Sequence, residues 1–520
     1  MIFLYPDEPK MVNQIRGFLE SGILHITTLE YPPLQGLVAA ALADLTGRRQ
    51  VPDLYLIGRS VSVLASLCSI VVMYFLGRRW SKRTAWLAAI FLALSMGAAR
   101  EAHWANPESL AAFWILLAIF CVFKLEDRDR TCWYILAGAG LALAIASKYL
   151  AALFLHLPIL VLFLKKFTPV DSPTLVESSL PTETRRSWVN SRPILRGLGI
   201  SYAAFSIIIF LALGLYVIRD RQLFIAAYHT HSPWAGAYGL YGTVPKPVPV
   251  PTYIRHIFPI ALGFPIYISA VAGILLSLVT LNKRALVLLL CALPFYVFLE
   301  AIHYHPLRFC LTLLPILCLL AAFFFDYILG LRKMILRAIG RLTLTSLLLY
   351  SVLYTYTFLS VLDVQKDIRF SAHAWIERRV KDKSAIAMLG KDVVTNRIGW
   401  IQYEGMDRWF SETYNMESGL PEFVIVPRGF WENLTQYLRL TRVGYSYSAD
   451  DWWPLAGAPS PNSLHFFEDV ASEKSYKLVK IFKNGTRFSW VPFSIEPLKF
   501  DLWFTNLELL IYERKNAHQI

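Results

Sequence analysis

Charge is the first thing this chain lacks. Asp, Glu, Lys and Arg make up 17% of its 520 residues, and apolar residues 56%. A soluble globular chain carries roughly 25% charged residues. Together with a mean hydropathy of +0.45, the shortage excludes a wholly soluble protein. Cysteine is scarce as well. Cys68, Cys121, Cys132, Cys291, Cys310 and Cys318 all lie in or beside apolar runs, and none follows residue 318. No C-x-x-C occurs, so a disulfide framework is excluded and the six read as small apolar residues. A cleavable signal peptide is also lacking.

What is present is a series of apolar runs separated by short basic loops. The net charge of +14 would suggest nucleic acid in a soluble protein. Here Lys and Arg gather in Gly77–Arg83, Lys165–Arg196, Asn282–Arg284 and the stretch from Arg332 to Arg341, the pattern of cytoplasmic loops. The charge therefore reports topology, and nucleic acid is rejected as a partner. Spans are expected over Leu54–Leu76, Thr84–Ala98, Ser109–Phe123, two within Trp133–Leu164, Gly197–Ile218, Ile257–Leu281, Ala285–Ala301, Phe309–Leu329 and Leu342–Leu362. That makes about ten, several of them short for a bilayer. Residues 1–53 form a first outer loop, with Met11–Leu19 and Gln35–Leu45 as helices lying in the interface. Residues 54–362 form the membrane bundle.

From Asp363 the hydropathy falls. Ser371–Val380 reads as a helix, and Ala385–Leu389, Phe423–Val426, Tyr476–Phe482 and Leu507–Tyr512 read as strands. Residues 363–520 are thus expected to form a soluble extracytoplasmic α/β domain, with sequons at Asn433 and Asn484.

With this topology, the polar motifs share the outer side of the membrane. They are Asp7 and Glu8 between prolines, Glu30 before Tyr31-Pro32-Pro33, Arg100-Glu101 with His103, Glu108 after Pro107, Lys148 between two apolar runs, and His303-Tyr304-His305 with Arg308. Each proline disfavours helix at the residue before it, so Asp7 and Glu8 are expected in a bend. Ionisable groups gathered at one end of a bundle form a site hypothesis. Each also has a structural explanation: a solvated turn for Asp7, a helix-dipole acid for Glu108, a snorkelling amine for Lys148. Histidines two apart, as at His303 and His305, converge on a metal only from a strand or bend.

The order of these motifs resembles the glycosyltransferase C superfamily, in the branch of protein O-mannosyltransferases and the bacterial lipid A aminoarabinose transferase. The residues carrying the resemblance are the acidic pair, Tyr31-Pro32-Pro33-Leu34, Gly58-Arg59-Ser60 leading to Gly77-Arg78-Arg79, Ala105-Asn106-Pro107-Glu108, Ser147-Lys148-Tyr149, and Arg308-Phe309 before Leu314-Pro315. The resemblance implies a polytopic helical bundle and sugar transfer, with inversion, from a polyprenyl-phosphate donor (undecaprenyl or dolichyl) to an acceptor hydroxyl of a protein, lipid or glycan. It implies Asp7 as general base beside Glu8, with Glu108, Glu30 and His103 near the acceptor or a divalent metal ion. Lys148, Arg308 and Arg100 would hold the donor phosphate. Tyr31 stands where relatives of the aminoarabinose enzyme carry lysine, which argues against the same sugar and lipid pairing. Members of the superfamily also carry a full span before the acidic pair, whereas six residues precede Asp7 here. The true start is then expected upstream of Met1, or the protein works without that helix. Two other readings use the same features: a transporter or flippase of a lipid-linked sugar, and a non-catalytic membrane protein with an outer binding domain.

Overall fold

The computed structural model describes residues 8–22, 31–127, 129–166, 191–219, 221–222, 225, 251–302, 306–361, 368–379, 386–388, 422–427, 469–470, 472–483 and 508–515. These fall into two compact units, one drawn from residues 11–352 and the other containing the C-terminal sheet.

In the first unit, which takes in α1 (Glu8–Ser21) from Met11 onward, this helix buries Met11, Val12, Ile15 and Phe18 at helical spacing. The expected bend at Glu8 is corrected here. Glu8 is itself the first helical residue and Pro9 the second, positions where proline's missing N–H has no intrahelical partner to lose. Next, α2 (Leu34–Thr46) ends at Gly47, whose φ of +67° suits a residue without Cβ. It buries Gln35, Gly36, Ala39, Ala40 and Ala43. Gln35 donates to the Gly58 carbonyl at 3.3 Å and to Ser62 Oγ at 3.3 Å, so α2 is fastened to the bundle by more than an apolar face.

Three spans follow in the expected order: α3 (Val51–Gly77), α4 (Lys82–Ala93) with α5 (Met96–Ala102), and α6 (Glu108–Asp127). Ser81 caps α4 by accepting from the Thr84 amide at 2.9 Å. The run read as Thr84–Ala98 bends by 59° between α4 and α5. Ser95 sits in the break and donates to the Ala261 carbonyl at 2.9 Å. The stretch Trp133–Leu164 breaks where expected: α7 (Thr131–Ser147) stops before Lys148, a 3-10 turn follows over Tyr149–Phe154, and α8 is Leu160–Lys166. Beyond come α9 (Ser191–Ile209), continued through a π turn into α10 (Leu215–Arg219), then α11 (Phe258–Leu262), α12 (Phe264–Val279), α13 (Lys283–Ala301), α14 (Leu314–Gly330) and α15 (Met334–Val361).

Among the described residues, five helices are long and apolar enough to cross a membrane, or six if the bent pair is one span; five further apolar helices are shorter. The ten expected spans are therefore unequal, because proline near the start of α12 and α14 and the break at Lys148 cut apolar runs short. On α3 the outward side chains (Leu56, Leu64, Leu67, Phe75) are as apolar as the buried ones (Leu54, Val61, Ala65, Met73). Water would not solvate such a face, and lipid does. The protein is an integral membrane protein.

Helices approach closely at glycine. A Cβ on Gly138 of α7 would lie 2.0 Å from the Ser201 carbonyl oxygen of α9, and one on Gly273 of α12 would lie 2.1 Å from that of Leu320 in α14. Small residues at such crossings let backbones meet where lipid supplies no hydrophobic drive.

The second unit holds α16 (Ile368–Arg379) and four strands, β1 (Ile386–Met388), β2 (Phe423–Pro427), β3 (Tyr476–Lys483) and β4 (Glu508–Arg514). The sheet order is β1-β2-β4-β3. β1 and β2 are parallel, the other pairs antiparallel, and β3 carries a register shift between Leu478 and Lys480. The central strands are continuous apolar runs, Phe423-Val424-Ile425 and Leu510-Ile511-Tyr512, buried on both faces. Trp375 of α16 meets Phe423 and Phe482 edge-on, with ring centroids 6.5 and 6.4 Å away. Helix and strands all match the sequence expectation; both sequons lie outside the described residues.

Candidate active site

Three of the predicted residues converge. Glu108 opens α6 directly after Pro107, where the helix dipole favours a carboxylate. Lys148 is released from α7: its backbone is extended (φ −149°, ψ 122°), so its side chain leaves the helix line. Arg308 lies on the 3-10 turn Leu307–Thr312, which begins after Pro306. Lys148 Nζ is 2.8 Å from Glu108 Oε1, and Arg308 Nε is 3.7 Å from the same oxygen. The side chains are 5% (Glu108), 16% (Lys148) and 8% (Arg308) exposed. Glu108 Oε2 is buried and has no hydrogen-bond partner among the described residues.

Two residues that the sequence named only within motifs, and not as site residues, complete the surroundings. The Lys148 amine lies over the Tyr31 ring, 4.6 Å from its centroid, and 5.4 Å from that of Phe309. Aromatic faces stabilise a partly desolvated cation. Tyr31 is held by its carbonyl, which accepts from Gln14 of α1 at 3.2 Å. The signal for Phe309 was its place beside Arg308. Tyr31 stands in the Tyr31-Pro32-Pro33-Leu34 motif, which assigned it no role beside Lys148.

A cleft of about 20 Å³ opens between these groups, lined by Glu108, Lys148, Leu150, Phe295, Arg308 and Leu311. Leu311 also lines an apolar crevice of about 140 Å³ with Val63, Leu67, Ile70, Leu92 and Ala98. Charged cleft and apolar crevice thus share one wall.

Arg100 belongs to another network. It donates to Glu101 at 2.8 Å, both side chains 0% exposed, and Asn106 donates to the other Glu101 oxygen. Ser62 of α3 donates to the Asn106 carbonyl at 3.1 Å. The chain from Gln35 through Ser62 and Asn106 to Glu101 fixes the turn that delivers Glu108. His103 is exposed, its Nδ1 2.6 Å from the Ala99 carbonyl oxygen. Arg59, of the Gly58-Arg59-Ser60 motif, lies over Trp104, 5.6 Å from its ring centroid. Glu8 is buried. Asp7, Glu30, His303 and His305 lie outside the described residues.

Among the described residues, no three His, Cys, Asp or Glu side chains gather to hold a metal. Among the described residues the near neighbours of Glu108 are two cations, Lys148 and Arg308, and the other residues expected near a metal, apart from the exposed His103, lie outside the described residues.

Residues 30–174 match the sequence profile of a family described as dolichyl-phosphate-mannose-protein mannosyltransferase. No curated protein matches the chain by sequence. Among solved structures, ArnT from Cupriavidus metallidurans bound to undecaprenyl phosphate is similar at 12% identity and TM-score 0.48, covering 97% of this chain and 93% of that one. The Archaeoglobus fulgidus oligosaccharyltransferase in the apo form is similar at 12% identity and TM-score 0.47, covering 68% and 52%. AglB from Archaeoglobus fulgidus, in complex with an inhibitory peptide and a dolichol-phosphate, shows 13% identity and TM-score 0.45, covering 79% and 57%. The matched stretch, residues 30–174, includes Tyr31, Glu108 and Lys148.

Proposed function

We propose that the protein transfers a sugar from a polyprenyl-phosphate donor to an acceptor hydroxyl on the extracytoplasmic side of the membrane, with inversion at the anomeric carbon. The observation that carries this reading is the convergence of Lys148 and Arg308 on one buried acid beside an apolar crevice. A lipid-linked phosphate needs both surroundings: cations for the headgroup and an apolar seat for the first isoprene units.

In this reading Lys148 supplies a point charge and Arg308 a planar fork to the phosphate. As the bond between the anomeric carbon and the phosphate oxygen breaks, the leaving phosphate takes the electron pair, and the two cations stabilise the charge that develops. Asp7, assigned by the resemblance, accepts the proton of the attacking hydroxyl as the new carbon–oxygen bond forms. Glu108 orients the acceptor once the phosphate has taken over the two cations. Arg100 acts at a distance, through the Glu101–Asn106 turn.

The test is incubation of the purified chain in detergent with a panel of polyprenyl-phosphate sugars, following release of polyprenyl phosphate. Release by the wild type is expected with at least one donor. Asp7→Asn should lose it by at least a hundredfold while still binding polyprenyl phosphate, and Lys148→Ala should lose the binding. Transfer retained at the wild-type rate by Asp7→Asn would remove Asp7 as the base.

A further inference from the structure

The segment that carries Arg308 is anchored from a second place in the chain. Glu300, near the end of α13, accepts two consecutive backbone amides, from Thr252 at 2.7 Å and Tyr253 at 2.9 Å. A carboxylate that takes both donors fixes the chain as it re-enters the bundle. Tyr253 is completely buried, and its hydroxyl donates to the Pro306 carbonyl at 3.0 Å. The Pro306 carbonyl also accepts the Phe309 amide at 3.2 Å, the bond that opens the 3-10 turn bearing Arg308 and Phe309. A short helix of this kind is a weak structure by itself. Its first carbonyl is therefore the point where an outside contact can set its orientation.

We propose that Tyr253 and Glu300 are positioning residues for the donor phosphate, acting through the Pro306 carbonyl on the placement of Arg308 and Phe309. This rests on the reading of Lys148 and Arg308 as the phosphate site. Neither residue touches the phosphate. Glu300 holds the Tyr253 backbone, Tyr253 holds Pro306, and Pro306 sets the turn from which the guanidinium reaches toward Glu108 and the Phe309 ring reaches the Lys148 amine. One displaced turn would thus misplace one cation and uncover the other.

The experiment is titration of the purified full chain in detergent with undecaprenyl phosphate, followed by tryptophan fluorescence, with undecaprenol as a ligand lacking the phosphate. Tyr253→Phe deletes one hydroxyl and should weaken undecaprenyl phosphate about three- to tenfold, leaving undecaprenol affinity unchanged. Glu300→Gln, which keeps one acceptor of two, should act in the same direction and serves as the second variant if Tyr253→Phe folds poorly. In an Arg308→Ala background, Tyr253→Phe should have little further effect, because a residue acting through another loses its influence when that other is gone. Equal losses for phosphate and alcohol, or an undiminished loss in the Arg308→Ala background, would overturn the positioning role. The phosphate reading itself fails separately, if Arg308→Ala binds undecaprenyl phosphate as tightly as the wild type does.

Discussion

Glu108 is held by the two cations that a phosphate would also seek. Its Oε1 lies 2.8 Å from the Lys148 amine, while its Oε2 is buried without a partner among the described residues. In the proposed reading the carboxylate holds the place that the donor phosphate would take. Glu108→Gln keeps the shape and removes the charge. It is expected to cost about 2 kcal/mol of stability in the unliganded protein, because two enclosed cations lose their counter-charge. Undecaprenyl phosphate should restore that loss by supplying the missing anion, so the gain in melting temperature on adding lipid should be larger for the variant than for the wild type. Thermal unfolding in detergent, with and without the lipid, checks this. An equal gain in both would show that Glu108 and the phosphate do not compete.

The residues of this cluster were legible in the sequence because ionisable side chains are costly inside an apolar bundle, and their order along the chain pointed to one side of it. Their aromatic neighbours were not. Tyr31 and Phe309 lie among the chain's 26 tyrosines and 33 phenylalanines, and nothing local tells a ring over an amine from a ring in a core. Tyr253 and Glu300 were silent for a related reason. A bond from a tyrosine hydroxyl to a carbonyl 53 residues away leaves no periodicity.

At the scale of elements, hydropathy placed the spans well and their interruptions less well. The break at Lys148 was visible because a charge divided two apolar runs. The bend between α4 and α5 was not, because Leu94 and Ser95 do not interrupt the run strongly and the bond from Ser95 to the Ala261 carbonyl is a tertiary contact. The glycine crossings are a stronger constraint than composition suggests. A methyl group at Gly273 meets the Leu320 backbone, which cannot rotate away as a side chain would. Gly273→Ala should therefore force α12 and α14 apart and cost about 1–3 kcal/mol. Gly199→Ala, where an added Cβ meets nothing within 4 Å, should be nearly neutral. Thermal melting of the two variants in the same detergent separates packing from helix propensity.

For the whole molecule, a second charged cluster marks the opposite end of the bundle. Arg79, after α3, bonds Glu126 at 3.0 Å and also Asp127. Arg284, at the start of α13, bonds Glu126 at 2.9 Å. Burial works against the charge of Arg79, but its bonds to Asp127 and Glu126 outweigh that and raise its pKa above the usual guanidinium value. Trp80 adds a bond to Asn282 at 3.3 Å. These groups lie at or beside loops whose excess of Lys and Arg is the pattern expected of the cytoplasmic side; on that expectation the Glu108 cluster would lie outside. In a background without the six native cysteines, Lys82→Cys should be protected from a membrane-impermeant maleimide in intact cells, and Ser472→Cys should be labelled. Labelling of the first and protection of the second would reverse the orientation.

The interruption of α7 bears on how a lipid would reach this protein. With 17 residues and about 1.5 Å of rise for each, the helix measures roughly 26 Å, less than the roughly 30 Å depth of a hydrocarbon layer. If the start of α7 sits at one boundary of that layer, the amine of Lys148 would lie slightly below the plane of the headgroups at the other. In the proposed reading, a donor diffusing sideways in its leaflet would present its headgroup there without climbing out of the bilayer, while its long tail stayed among its neighbours.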